Sequence, residues 1–357
     1  MKALKPLTIT DALLTYTNVD ETIALEWDSG STYDDDVFVY IASGTQRDIY
    51  ESLQGSNLNK DPETETDWWV FRSTTYDEYA AGTTYGEGDN VIDATNHLIY
   101  ESLQAGNTGN ALTNTTWWLE VGATEPRKAF DGKVGNQTER TGSIVYEITP
   151  TTLVTGISLL GADAVSINIT VTDTSEGEVY NEDIDLLSTE NVYDAYTYCF
   201  APFLYTKNVV KTDLPPYIGA TISITITAES DTATAKCGEI VVGDVDDFTG
   251  QDGGTKQGAG FEIKDFSVKS QDAYGNFNIT ERDFSQKVFI DVLVDNYLLP
   301  YLKLFLEQYR ATPVVWVPTE VENLSGVFLT YGYYSQARTV VPYPDHSIIT
   351  IEIEGLT

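Results

Sequence analysis

The residues best placed to do chemistry come in two matched sets. Tyr50-Glu51-Ser52-Leu53-Gln54 and Tyr100-Glu101-Ser102-Leu103-Gln104 are the same pentapeptide, each followed by an Asn-containing turn and a tryptophan pair, Trp68-Trp69 and Trp117-Trp118. Upstream, Gly30 to Tyr33 and Gly82 to Tyr85 share a Gly-x-x-Tyr spacing and lead to Val37 and Val91 beside acidic residues. Indole and phenol rings offer flat apolar faces, and neighbouring Asn, Asp and Glu side chains can hydrogen-bond to hydroxyls. Together these groups suit a ligand ring with C–H groups on its face and hydroxyls on its rim, as in a sugar. The candidate binding set is Tyr33, Tyr50, Trp68, Trp69, Tyr85, Tyr100, Trp117 and Trp118.

A unit of about fifty residues also needs aromatics to build a core at all. Each tryptophan pair is therefore expected to place one ring inside and one outside. Period-two alternation groups Trp117 with Leu119 and Val121 and leaves Trp118 with Glu120.

Catalytic chemistry has little to stand on. The chain has two histidines, His97 and His346, and lacks a Gly-x-Ser-x-Gly elbow, a P-loop and a Cys/His metal cluster. The expectation is a protein that is not an enzyme and carries no cofactor. A pair of useful carboxylates among 55 Asp and Glu leaves no trace in sequence, so a glycosidase-type enzyme is the alternative. Asp34-Asp35-Asp36 reads as an acidic turn rather than a cation site, because calcium takes roughly six to eight oxygens. Asp244, Asp246 and Asp247, ahead of Gly250 and Asp252, only superficially resemble a calcium loop, since Phe248 occupies a ligand position and no closing Glu follows at the required spacing. Cys199 and Cys237 read as buried free thiols rather than a disulfide.

Charge excludes more than it identifies. Fifty-five acids against 20 Lys and Arg give −35 over 357 residues. That field repels phosphates and anionic lipid, so neither nucleic acid nor a membrane is expected as a partner. No apolar run approaches the about 20 residues of a membrane span, and residues 1–16 lack the apolar core of a signal peptide.

The elements that must position the aromatics are mostly strands. Thr, Val, Ile and 23 tyrosines dominate, a bias toward pleated, half-buried surfaces. The fold class is read as mainly β: two small β modules in tandem, an antiparallel β-sandwich of jelly-roll type, and a C-terminal α+β domain with one main helix. Residues 1–26 form a lead-in segment containing Leu7-Thr8-Ile9-Thr10 and Leu13-Leu14-Thr15-Tyr16. The repeats cover 27–73 and 74–123. The sandwich covers 124–248, with Val165, Ile167, Ile169 and Val171 alternating with polar residues, as do Ile222, Ile224 and Ile226. Residues 249–260 read as a Gly-rich flexible linker. Residues 261–357 carry a stripe of Tyr301, Leu302, Phe305, Leu306 and Tyr309 at helical spacing, then strands at Thr312 to Val317 and Ser347 to Glu354.

The second repeat, from Tyr79-Ala80-Ala81-Gly82-Thr83-Thr84-Tyr85-Gly86-Glu87-Gly88-Asp89-Asn90-Val91 through Tyr100, Asn107-Thr108-Gly109 and Trp117-Trp118, resembles the small chitin-binding type of carbohydrate-binding module. That family's pattern makes the second tryptophan structural, which disagrees with the alternation. The first repeat departs from the pattern, with Asp34-Asp35-Asp36 where a Gly-Asp step belongs and a longer stretch from Val37 to Tyr50. Ala129-Phe130-Asp131-Gly132 and the strands after it resemble galactose-binding-like jelly rolls. The order of parts resembles virion proteins of tailed bacteriophages.

That resemblance implies a component of a tail tip, baseplate or fibre, assembled in the host cytoplasm and residing in the virion. Its implied partners are other phage tail proteins, a host-surface glycan and further copies of itself in a homo-oligomer; the sandwich and C-terminal domain are expected to hold the assembly while the repeats project outward, with the apolar helix and the last strand available for the interface. A polysaccharide depolymerase and a structural virion protein whose repeats are spacers are the alternatives.

Overall fold

The computed structural model describes residues 1–188, 192–250, 253–271, 275–319 and 326–356. It is mainly β, and every strand pair of its sheets among the described residues is antiparallel. A five-stranded sheet places Leu14–Thr17, Ser143–Ile148, Thr221–Thr227, Ser166–Asp173 and Gly177–Asp185 side by side in that order. The alternation seen in sequence becomes its buried face: Ile167, Ile169, Val171, Ile222, Ile224 and Ile226 are all in the core. They pack against Ile157, Leu159, Val209, Ile240 and Val242 of a second sheet, which completes the sandwich.

That second sheet does not stop at the sandwich. It runs through ten strands, beginning with Val209–Lys211, Gly156–Leu160 and Glu239–Asp247 and continuing through Lys2–Pro6 into Val314–Val317, Thr330–Val340, His346–Gly355 and Phe284–Asp295. One continuous sheet therefore links the sandwich to the C-terminal domain, through the strand Lys2–Pro6. Ala3 and Leu4 are fully buried on opposite faces of that strand: Ala3 belongs to the core that holds Phe248, Phe305 and Trp316, and Leu4 to the one that holds Val241, Val315 and Tyr331.

The lead-in thus carries the junction, through Lys2–Pro6 rather than through Leu7-Thr8-Ile9-Thr10. Pro6 lacks an N–H and limits the ladder, which gains one further bond from Leu7 N to Val242 O at 2.8 Å.

Two other expectations change in the C-terminal region. The described part of the Gly-rich stretch is tied to the sheet edge at residues 253–256 rather than being a free linker. Gly254–Thr255 pairs with Val292 and Leu293, and Lys256 N donates to Asp291 O at 2.7 Å. The glycines permit close approach, since a Cβ on Gly253 would lie 2.0 Å from Thr249 O. The final strand, His346–Gly355, is paired on both sides, with Thr330–Val340 and Phe284–Asp295, so it offers no edge to a neighbour. The main helix, Leu299–Gln308, buries Leu302 and Phe305 of the expected stripe against its own sheet, with Pro300 in the first turn, where a missing N–H costs nothing.

Cys237 is buried and free, as the thiol reading has it. Cys199 is free but exposed, because the short helix Ala195–Phe200 that carries it buries no residue. Among the described residues no helix is long and apolar enough to cross a membrane.

Candidate functional site

Both repeats fold the same way. The first is a three-stranded sheet of Phe38–Ser43, Gln46–Ser52 and Trp69–Tyr76, with a short pair Thr32–Tyr33 and Asn57–Leu58. The second has Asn90–Asp93, Leu98–Ser102 and Trp118–Ala123, with Thr84–Tyr85 and Asn107–Thr108.

The repeated pentapeptide is explained by backbone wiring. Ser52 Oγ donates to Gln54 O at 3.1 Å and accepts from Asn57 Nδ2 at 2.9 Å; Ser102 does the same with Gln104 O and Asn107 Nδ2, each at 3.0 Å. Gln54 and Gln104 side chains then hold the carbonyls of Asp67 and Thr116, just ahead of each tryptophan pair. The Ser and Gln of the repeat are thus scaffold groups.

The backbone bonds also fix which residues correspond. Asp36 N and Gly88 N donate to Ser52 O and Ser102 O, which aligns Asp36 with Gly88 and Val39, not Val37, with Val91. Gly88 sits at φ 86° and Asp36 at φ 61°, both left-handed. A Cβ costs roughly 1 kcal/mol there. Gly88→Ala is therefore expected to destabilise the second module by about that amount, and Asp36→Gly to stabilise the first by up to about 1 kcal/mol. Urea midpoints of the two variants moving in the same direction would contradict this.

The eight candidate aromatics divide evenly. Tyr33, Trp69, Tyr85 and Trp118 are buried, and their polar atoms are committed inside. Trp69 Nε1 donates to Lys60 O at 2.9 Å and Trp118 Nε1 to Asn110 O at 3.0 Å. The Tyr33 and Tyr85 hydroxyls accept from the N–H groups of Asp28 and Ala80. Each Tyr–Trp pair packs edge to face at 5.3 Å, around Val39 or Val91. These four rings are core and have no free face for a ligand.

Tyr50, Tyr100, Trp68 and Trp117 are half-buried at the rim of the same clusters. The second tryptophan of each pair is thus the inner one, so the alternation misleads at this point. The residues it groups with Trp117, Leu119 and Val121, are 50% and 54% exposed.

The rim positions are not equal in the two copies. Lys60 Nζ lies 5.2 Å from the Trp68 ring centre and covers one face. The residue at that place in the second copy is Asn110, whose backbone carbonyl plays the Lys60 part, and no cation contact to Trp117 is seen among the described residues. Burial pushes both rim tyrosines above the usual phenol range, and carboxylates add to it: Asp48, Glu63 and Asp61 near Tyr50, Glu120 and Asp93 near Tyr100. The rim therefore sets aromatic faces beside hydrogen-bond acceptors.

The opposite face of each module is turned to the rest of the molecule. Ile49 and Ile92 are buried outside their modules' own clusters. Glu51 accepts from Arg72 Nε at 2.6 Å and lies 3.7 Å from the buried Arg140 of the sandwich, while Arg72 Nη1 reaches Thr141 O at 3.0 Å. In the second copy His97 bonds Glu21 and Asp11, each at 2.8 Å, and Thr124 Oγ1 donates to Glu21 at 2.6 Å. A cleft of about 430 Å³ lies where the modules meet the sandwich, lined by Thr75, Asn90, Ile92, Val121, Lys128 and Asn136 among others.

One titratable group escaped sequence reading. Glu239 is buried at a cleft of about 410 Å³ shared by Asp131, Gly132 and Tyr331. Burial, with the charge of Asp131 adding, pushes its carboxyl up to about 8, although Gly132 N donates to it at 2.8 Å. The Phe130-Asp131-Gly132 turn was visible in sequence, but nothing links it there to a residue 107 positions away. Asp244 and Asp246 are occupied by Lys5 at 2.7 and 3.0 Å. Asp252 lies outside the described residues. Among the described residues no group of three or more His, Cys, Asp or Glu is arranged to hold a metal.

Comparison with known proteins gives no match: no family model, curated protein or solved structure is similar to this chain at a significant level.

Proposed function

We propose that this chain is a multi-copy structural component of a bacteriophage tail whose two small modules bind a host-surface glycan without catalytic turnover. The observation that carries the binding part is the repetition of one rim arrangement. Tyr50 with Trp68 and Tyr100 with Trp117 are the aromatics left half-exposed at equivalent places, each beside carboxylates, while the other four are consumed by the cores. A sugar ring could bury a C–H face on such an indole and direct hydroxyls to the neighbouring acids. The second module is the stronger binder in this reading, since Lys60 covers one face of Trp68. Two weak sites on one chain also gain from effective concentration.

In the full chain, Trp117→Ala and Tyr100→Ala are each expected to weaken binding to insoluble chitin or to a glycan array by roughly ten- to a hundredfold. Thermal unfolding should be nearly unchanged. Wild-type protein that binds no glycan would remove the binding reading. The spacer reading would then stand, favoured by the Glu51–Arg72–Arg140 and His97–Glu21 contacts that fix both modules to the body.

A further inference from the structure

A ribbon of two strands leaves the end of the long sheet. Gly260–Asp265 pairs with the first half of Phe284–Asp295, and beyond a break Val268–Gln271 pairs with Phe277–Thr280. Nothing pairs with the outer edge of Gly260–Asp265 among the described residues, and the outer hairpin is a two-stranded sheet of its own. Every residue of Val268–Gln271 and Phe277–Thr280 is exposed. An isolated two-stranded ribbon is at best marginal in water, so this one calls for a covering surface.

Its sequence points the same way. Phe261, Phe266, Phe277 and Phe284 are 51%, 41%, 72% and 60% exposed, and Ile263, Val268 and Ile279 are exposed beside them. By register, Phe261, Ile263 and Phe284 fall on one face of the ribbon, which continues into the buried Val288. The four phenylalanines alone leave on the order of 400 Å² open. With the aliphatic residues and the free backbone edge, this approaches the roughly 800 Å² per partner of a standard interface.

We infer that this arm is the surface through which the chain associates with a second copy of itself, arm against arm. Charge selects that occupant. Residues 260–287 hold Lys264, Lys269, Arg282 and Lys287 against Glu262, Asp265, Asp272, Glu281 and Asp283, a net charge of −1 in a chain of −35. Elsewhere two copies repel, whereas along the arm that repulsion is weakest: Lys269 pairs with Asp265 and Lys287 with Glu352 of the same copy, and Lys264 and Arg282 can face anions of the other. A self-complementary patch of this kind closes about a twofold axis, with each arm supplying both the apolar stripe and its cover. The free edge of Gly260–Asp265 can add a strand across the contact.

The inference rests on the multi-copy part of the proposed function and not on its glycan part. Its test is the solution mass of the full chain by light scattering at micromolar to 100 µM concentrations, beside F261S/F277S/F284S. The wild type is expected to be an oligomer and the triple variant a monomer with unchanged circular dichroism, since all three side chains are exposed. As a probe that leaves the apolar stripe nearly intact, Ile263→Cys in a Cys199→Ser background is expected to form an interchain disulfide on mild oxidation. A monomeric wild type would overturn both the arm and the multi-copy reading. An oligomer that survives the triple substitution, or an Ile263→Cys variant that does not cross-link, would overturn the arm alone.

Discussion

Replacing Trp118 by alanine is expected to cost about 3–5 kcal/mol of stability and to open the second module, with Trp69→Ala doing the same to the first. Each indole is almost completely buried, packs on a tyrosine and a valine, and donates its N–H to a turn carbonyl. Truncation removes the largest group from a core of very few residues and leaves the Lys60 or Asn110 carbonyl without its donor. Hydrogen exchange across the module strands, together with urea unfolding, measures the effect. The adjacent Trp68→Ala and Trp117→Ala should each cost less than about 1 kcal/mol, as partly exposed substitutions do. Equal losses within a pair would show that both rings are core and leave no aromatic for a ligand.

The second large effect is expected from Glu239→Gln, and it depends on pH. The carboxyl is held at about 8 by burial, against an ordinary value of 4.5. Below pH 4.5 both folded and unfolded chains carry the proton, and the group makes no difference. As pH rises from 4.5 to 8 the unfolded chain releases the proton and the folded chain keeps it, so folding loses about 1.4 kcal/mol per pH unit through that window. Above pH 8 the loss is complete. Glutamine can still accept the Gly132 N–H but has no proton to lose. The stability of Glu239→Gln relative to wild type should therefore climb by several kcal/mol between pH 5 and pH 9 in urea titrations. Parallel pH profiles for the two proteins would contradict this placement of Glu239.

What could be read from the sequence follows the range of the interactions involved. Alternation exposed the buried faces of Ser166–Asp173 and Thr221–Thr227, because side-chain direction in a strand depends only on the residue's own position. Helical spacing likewise identified Leu302 and Phe305. Alternation failed at Trp117-Trp118, where the strand begins at the second tryptophan and the first belongs to the preceding turn. The repetition of Ser and Gln was plain in sequence, but their part as hydrogen-bonded scaffold was not, since it needs the positions of Asn57 and Asn107 in space. The junction strand Lys2–Pro6 and the Glu239 cleft were illegible because their partners lie more than a hundred residues away.

That junction strand bears on how the chain reaches its fold. Lys2–Pro6 pairs on one side with Glu239–Asp247 and on the other with Val314–Val317. Residues 2–6 thus fill a slot whose two walls lie more than two hundred residues further along the chain. The sandwich sheet cannot gain its neighbour, nor the C-terminal sheet its link, until residues 2–6 and both of these distant strands are present together. Closing loops of that length costs entropy before the contacts repay it, and such long-range pairing is slow. Until then the edges of Glu239–Asp247 and Val314–Val317 are open templates for any other strand. Completion of the sheet is thus a late event that waits on segments far apart in sequence, rather than a sequence of independent domain foldings, and like-charge repulsion between the acidic chains opposes such mispairing in the interval.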